Sequence, residues 1–362
     1  MESITPHQFY ALLVVAILEL GTIRIPRALA EAAGADAWLS AIAVFVFLTP
    51  VVLINLVLAR RFPDEYFPSY SKRILGSFLG GALSFLYAGY WAVWMSLVLI
   101  EFGHIVRVVL LEKTPSELVV LYMLLVGLYL ARQGLGPIAR SAEILLLVVI
   151  LVVVFSLTLT VAAGGLEFTS FLPFLADGPL PPLKAGLRAV GEVQGVALLL
   201  VLYPFLRRKA QALRATVAAM WGTVAVIVVG LAVVTQAALG VSELINTVWP
   251  VLSLERVVKI PFLERLDIVF LMFWATAVFT TVVIALYGSA HMLAGALGFK
   301  THQVLLFPLL VVTFLMSSAE IPQATLEVLG QAFGFVTLAF TVFFPGLLLL
   351  VAALRGVGGV RG

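Results

Sequence analysis

The 362-residue chain contains no cysteine. Disulfide frameworks, thiolate zinc sites, iron–sulfur ligation and cysteine nucleophiles are all excluded by that absence. Charge is scarce as well: Asp, Glu, Lys and Arg make up 11% of the residues, against about 25% in an average soluble domain. This scarcity argues against disorder and against a nucleic-acid-binding surface, and a net charge of +3 is too small to suggest a polyanionic partner. The four histidines lie far apart with no His-Glu-x-x-His, and there is no Walker loop and no Gly-x-Ser-x-Gly. Gly134-Leu-Gly136 lacks the strand that a nucleotide fingerprint needs. Nothing points to an enzyme, a metal or a bound cofactor. What remains is apolar residue, 62% of the chain with a mean hydropathy of +1.15. The expectation is an all-α integral membrane protein forming a single transmembrane domain over residues 1–362.

About 20 apolar residues cross a bilayer. Runs of that length, ended at charged or Pro/Gly clusters, give ten spans: 7–32, 36–59, 80–110, 115–131, 136–163, 182–206, 211–239, 264–298, 301–319 and 325–354. The first is not a signal peptide, since it lacks a basic leader and carries Glu19 and Arg24. With both termini cytoplasmic, the inner loops and tail hold 13 of the 22 basic residues: Arg60, Arg61, Lys72, Arg73, Arg132, Arg140, Arg207, Arg208, Lys209, Arg214, Lys300, Arg355 and Arg361. Positive charge concentrates on the cytoplasmic side of membrane proteins, so this orientation is the expected one. Segment 62–79, with Tyr66, Phe67, Tyr70, Lys72 and Arg73, reads as an amphipathic connector suited to headgroups or a partner.

Arg60-Arg61 and Arg207-Arg208-Lys209 stop spans two and six. They suggest five spans repeated, with repeat one at about 7–163 and repeat two at about 182–354. An odd number of spans per half inverts the second half, which makes spans one and six equivalents. Span one reads Ile17-Leu-Glu-Leu-Gly-Thr-Ile-Arg-Ile-Pro26 and span six reads Val190-Gly-Glu-Val-Gln-Gly195. Both carry glycine-centred polar interruptions near mid-membrane. Backbone groups freed there must face protein, water or ligand, because lipid cannot satisfy them. The N–H groups opening the outer half-helix near Gly21-Thr22 favour a carboxylate, and carbonyls closing the inner half-helix favour a cation or an ammonium. Together they fit a zwitterion. The candidate substrate contacts are Leu20, Gly21, Thr22, Ile23, Trp94, Gly191, Val193, Gln194 and Gly195. The alternative is that Gly21, Gly191 and Gly195 permit close helix packing, and that Trp94 and Trp91 are packing aromatics.

The residues also resemble a known family. Gly21-Thr-Ile-Arg-Ile-Pro-Arg-Ala-Leu29 followed by Ala-Gly-Ala-Asp-Ala-Trp38, then Leu111-Glu-Lys-Thr-Pro115, then Trp249-Pro-x-x-Ser-Leu, Phe262-Leu-Glu-Arg-Leu-Asp267, Trp274 and Phe279-Thr-Thr281 carry the likeness. The chain resembles, over residues 5–350, the spore-germination permeases, the B subunits of endospore germinant receptors within the amino acid/polyamine/organocation superfamily. The resemblance implies ten helices in a LeuT-like 5+5 inverted repeat, with an amino-acid-sized site at the breaks of spans one and six. It also implies a nutrient ligand, the spore inner membrane, and a large membrane subunit and a lipoprotein as partners. The superfamily at large implies another activity, self-sufficient proton-coupled amino-acid transport. Where the family often has Gly-x-Glu at the span-six break, this chain has Gly195-Val-Ala197, with Glu192 upstream.

A charge at bilayer depth costs at least about 2.5–3.5 kcal/mol, so each needs a partner or a role. Glu19, roughly 20 Å into span one at the helical rise, either receives an amino group or a coupling proton, or pairs with a base such as Arg24. Glu101 and His104 lie one turn apart in span three. They either relay protons or anchor the helix end with Arg107 or Arg188. Glu143 is either a proton site, placed by fold analogy near spans one and eight, or a helix-end carboxylate paired with Arg140. Thr280 and Thr281 face the cation or ligand by the same analogy, or bond their own helix backbone. Glu19, Glu101, Glu143, Glu192 and Thr280 are therefore the candidate coupling residues, for a proton in preference to sodium.

Overall fold

The computed structural model describes residues 3–19, 21–207, 209–257 and 265–358. Leu20, Arg208, Arg361 and the Phe262-Leu-Glu part of the long-loop motif lie outside the described residues. The described chain is helical throughout, with no strand beyond an isolated bridge of Ile4 to Leu206. Long apolar runs have no water to bond their backbone in lipid, and the helix satisfies it internally. In order the helices are α1 (Pro6–Ile17), α2 (Gly21–Ala33), α3 (Ala37–Arg61), α4 (Phe67–Leu75), α5 (Ser77–Val109), α6 (Ser116–Arg132), α7 (Leu135–Ala163), α8 (Leu180–Ala189), α9 (Leu198–Leu202), α10 (Lys209–Asn246), α11 (Pro250–Val257), α12 (Leu266–Leu297), α13 (Gln303–Ser317), α14 (Gln323–Leu338) and α15 (Phe344–Leu354).

Six helical stretches among the described residues are long and apolar enough to cross a membrane, and a pair bent by 54°, Leu180–Glu192 with Gln194–Phe205, makes a seventh if counted as one span. The protein is an integral membrane protein. Its outside is correspondingly greasy: Ile144, Leu147 and Leu151 on α7 are 67%, 60% and 59% exposed, which only a lipid solvent tolerates over such a face. Polar and small residues turn inward. At the centre α5 lies against α12, where Gly288 leaves room for the Trp91 ring and Ser289 donates to the Ala88 carbonyl at 2.8 Å.

Both expected breaks are present as breaks in the backbone. α1 opens with a capping box, Thr5 and Gln8 exchanging backbone and side-chain bonds, and ends at Ile17. α2 starts at Gly21, with the Thr22 N–H on the Glu19 carbonyl at 3.1 Å. In span six, α8 runs into a turn at Val190–Glu192, leaves helical geometry at Val193 (φ −103°, ψ 62°), and resumes through Gln194–Ala197 into α9. The breaks sit together. A Cβ on Gly195 would stand 2.6 Å from the Ala16 carbonyl oxygen, and one on Gly191 2.6 Å from that of Gly334. These two glycines therefore serve close backbone packing.

The 62–79 connector packs its apolar face on the bundle: Phe67, Tyr70 and Ile74 of α4 are buried, Tyr70 stacks on Phe62, and Phe67 meets Tyr87 of α5. Its Lys72 ammonium donates to the Gly295 carbonyl near the end of α12 at 2.6 Å. The aromatic face of α4 is thus satisfied by the bundle itself.

Candidate functional site

Between the two breaks lies a small polar cavity of about 30 Å³. It has room for water but not for an amino acid. The break of span one contributes Glu19, Gly21 and Arg24; α5 contributes Trp94 and Glu101; span six contributes Glu192 and Gln194; α14 contributes Leu326, Gly330 and Phe333. Gly21 faces span six so closely that a Cβ would stand 3.0 Å from the Glu192 carbonyl oxygen.

Arg24 organises the cavity wall. Its guanidinium reaches Glu101 Oε2 at 3.1 Å and Glu192 Oε2 at 3.5 Å, tying spans one, three and six together. Gly330 faces it, a Cβ there standing 3.5 Å from an Arg24 nitrogen in ordinary contact. The other Glu101 oxygen accepts the Trp249 indole N–H at 3.3 Å. One turn along α2, Arg27 bonds Glu31 at 2.7 Å and Glu327 of α14 at 2.9 Å. A wider cleft of about 650 Å³ is lined by Trp249, His104, Arg107, Glu117, Glu320 and Gln323.

Three buried polar atoms on the cavity residues have no hydrogen-bond partner among the described residues: Arg24 Nε and the Trp94 indole nitrogen, both donors, and the Gln194 carboxamide oxygen, an acceptor. Trp94 is 2% and Gln194 7% exposed. An unsatisfied buried polar group costs about 1–3 kcal/mol, so a donor and an acceptor left open beside one cavity are what a ligand or ordered water would answer.

The expected site residues divide into groups. Glu19, Gly21, Trp94, Glu101, Glu192 and Gln194 line the cavity. Thr22, Ile23, Gly191, Val193 and Gly195 are buried at the breaks without lining it, and Leu20 lies outside the described residues. Thr280 donates to the Thr276 carbonyl of its own helix at 2.9 Å, whereas the Thr281 hydroxyl, fully buried, has no partner among the described residues. Glu101 bonds neither His104 nor Arg107 nor Arg188; His104 instead donates to Gln323 at 3.2 Å. Helical spacing brings Glu101 and His104 near, but the Arg24 charge is the stronger partner for the acid. Glu143 meets His7 at 2.7 Å and Gln8 at 3.2 Å rather than Arg140, so its partners come from α1. Reading the sequence missed the contribution of α14 and the central place of Arg24. The Gly330 and Gly334 pair, one turn apart, was the available signal.

The family model described as spore germination protein matches residues 3–325. Among curated proteins, the chain is 28% identical to spore germination protein YndE of Bacillus subtilis, over 99% of this chain and 98% of that one. It is 24% identical to spore germination protein KB of the same organism, over 96% and 94%. Two solved transporters share the fold: Mhp1, of the nucleobase-cation-symport-1 family, solved closed with bromovinylhydantoin (TM-score 0.66, 15% identity, 94% of this chain and 78% of that one), and MhsT in complex with L-phenylalanine (0.67, 16%, 96% and 89%). Fold and family are those of permeases. The chain belongs to the spore germination permease family.

Proposed function

We propose that this protein is the nutrient-binding, permease-like subunit of a spore germinant receptor, taking a small amino acid or similar nutrient at the breaks of spans one and six and signalling germination. The observation that carries this reading is the small cavity at the meeting of the two breaks, with the Trp94 donor and the Gln194 acceptor open beside it. In this reading the N–H groups opening α2 and the Trp94 indole take the carboxylate, while Glu19, Gln194 and span-six carbonyls take the ammonium. At about 30 Å³ the cavity is too small for such a ligand as it stands. A ligand is admitted when the Arg24 bridges to Glu101 and Glu192 part, and those bridges are then the element whose population the nutrient shifts.

The reading extends to the whole chain as one domain of ten spans in a 5+5 inverted repeat. α1 with α2, and α8 with α9, are the broken spans one and six; α3, α5, α6, α7, α10, α12 and α13 are single spans, and α14 with α15 is the tenth. Both termini are cytoplasmic and the membrane is the spore inner membrane. A large membrane subunit and a lipoprotein receive the signal.

A second reading, self-sufficient proton-coupled amino-acid transport, is favoured by one observation: three carboxylates, Glu19, Glu101 and Glu192, line a cavity with one guanidinium. Excess buried acid invites protons. Proteoliposome uptake of labelled amino acids, with and without a pH gradient, separates the two. The receptor reading expects binding without accumulation, and concentrative uptake by this chain alone overturns it in favour of transport.

A further inference from the structure

Away from the central cavity, a buried carboxyl faces the lipid side of the bundle. Glu255 lies on α11, the short helix before α12, and is 1% exposed. One of its oxygens accepts the Ser156 hydroxyl from α7; the other, Oε2, has no hydrogen-bond partner among the described residues. It stands at the floor of a groove of about 320 Å³ between α7 and α12, walled by Leu151, Val152, Phe155, Val269, Phe270 and Phe273. Leu151, Phe155 and Phe273 are 59%, 51% and 42% exposed, so the groove opens sideways to hydrocarbon. Ser156 precedes the end of α7 by about 10 Å of helix.

Arg256, which follows Glu255 on α11, and Arg265, which precedes the groove-lining Leu266, carry the opposite charge. Arg256 and Arg265 are each 53% exposed, and both bind the buried Asp267, at 3.0 and 3.1 Å. A guanidinium has five N–H donors, so both keep donors for an incoming anion. Burial, seconded by the nearby Asp267, pushes the Glu255 carboxyl up to about 7 despite the Ser156 hydrogen bond; an arriving ammonium would restore its charge. A buried acceptor, two cationic groups adjacent in sequence to the groove's Glu255 and Leu266, and an apolar slot are the complement of an ammonium, a phosphate and an acyl chain.

We propose that this groove binds an aminophospholipid of the adjacent leaflet, phosphatidylethanolamine, with its ammonium on Glu255, its phosphate on Arg256 and Arg265, and an acyl chain between α7 and α12. Phosphatidylcholine has no N–H to give Glu255, and phosphatidylglycerol has no positive charge.

The test is native mass spectrometry of the full chain extracted from mixed bilayers of phosphatidylethanolamine, phosphatidylcholine and phosphatidylglycerol. Wild type should retain phosphatidylethanolamine at least tenfold over its bulk share, and Glu255→Gln should lose that enrichment with helicity unchanged. Leu151→Trp, which fills the groove from its lipid-exposed wall, should lose it too. Glycerophosphoethanolamine, the headgroup without chains, should displace little of the retained lipid. Equal enrichment in wild type and Glu255→Gln, no preference for phosphatidylethanolamine, or full displacement by the chainless headgroup each overturns the proposal.

Discussion

Gly21 and Glu192 face each other across the two helix breaks, the position of a Cβ on Gly21 lying 3.0 Å from the Glu192 carbonyl oxygen. Span one and span six are thus joined backbone to backbone at the cavity. The contact sets a steric limit on the residues that form it, and the flanking glycines set stricter ones.

Gly191→Ala and Gly195→Ala each force a Cβ to within 2.6 Å of a backbone oxygen. Overpacking of this kind costs about 1–3 kcal/mol. Both variants should lower the thermal midpoint in detergent. Gly222→Ala on α10, where a Cβ meets nothing within 4 Å, should leave it unchanged or raise it, since alanine is the better helix former by up to about 1 kcal/mol.

Arg24→Gln leaves Glu101 and Glu192 without their guanidinium. Removing one partner of a buried ion pair costs about 3–5 kcal/mol, much of it the penalty on the charge left behind. Adding Glu101→Gln to Arg24→Gln should therefore recover part of the loss. A double-mutant cycle on unfolding in bicelles measures this, and additive losses would place the two residues out of contact.

How much of this was legible beforehand differs by feature. The breaks at Leu18–Gly21 and Val190–Gly195 were readable because glycine and buried polar residues interrupt otherwise continuous apolar runs. The cavity residues on those breaks followed from the same signal, together with Trp94 and Glu101. The Arg24 hub was not readable, because periodicity places residues on a face of one helix and says nothing of which neighbour that face meets. Arg24 satisfies acids 77 and 168 positions away in sequence. The burial of α4 was hidden for the same reason: its aromatic stripe fits an interface or a protein groove equally well, and only Phe62 and Tyr87 decide between them.

The π-helical turn at Ala339–Phe343 gives a further test. Asn55 of α3 donates to the Thr341 carbonyl at 2.7 Å and Tyr87 of α5 to that of Phe340 at 2.6 Å. A π turn leaves carbonyls that the α pattern would have used. Asn55→Leu should cost about 1–3 kcal/mol by orphaning one of them. Hydrogen exchange should rise at 339–343 first; unchanged protection there would count against the assignment.

Glu255 makes stability pH-dependent. Its folded value of about 7 lies above the ordinary 4.5, chiefly through burial, so the folded state holds this proton more tightly than the unfolded chain. The stabilisation is complete below about pH 4.5 and is lost as pH rises through about 7. Glu255→Gln should flatten that part of the pH profile of thermal stability in phosphatidylcholine nanodiscs. An unaltered slope in the variant would assign the dependence to another group.

Equilibrium binding of labelled amino acids to the purified protein, wild type beside Gly21→Leu, probes the cavity itself. Saturable binding of a small amino acid to wild type, abolished in a Gly21→Leu protein of unchanged helicity, is the expected result. The same affinity in both proteins would remove the break of span one from the binding site and contradict the assignment.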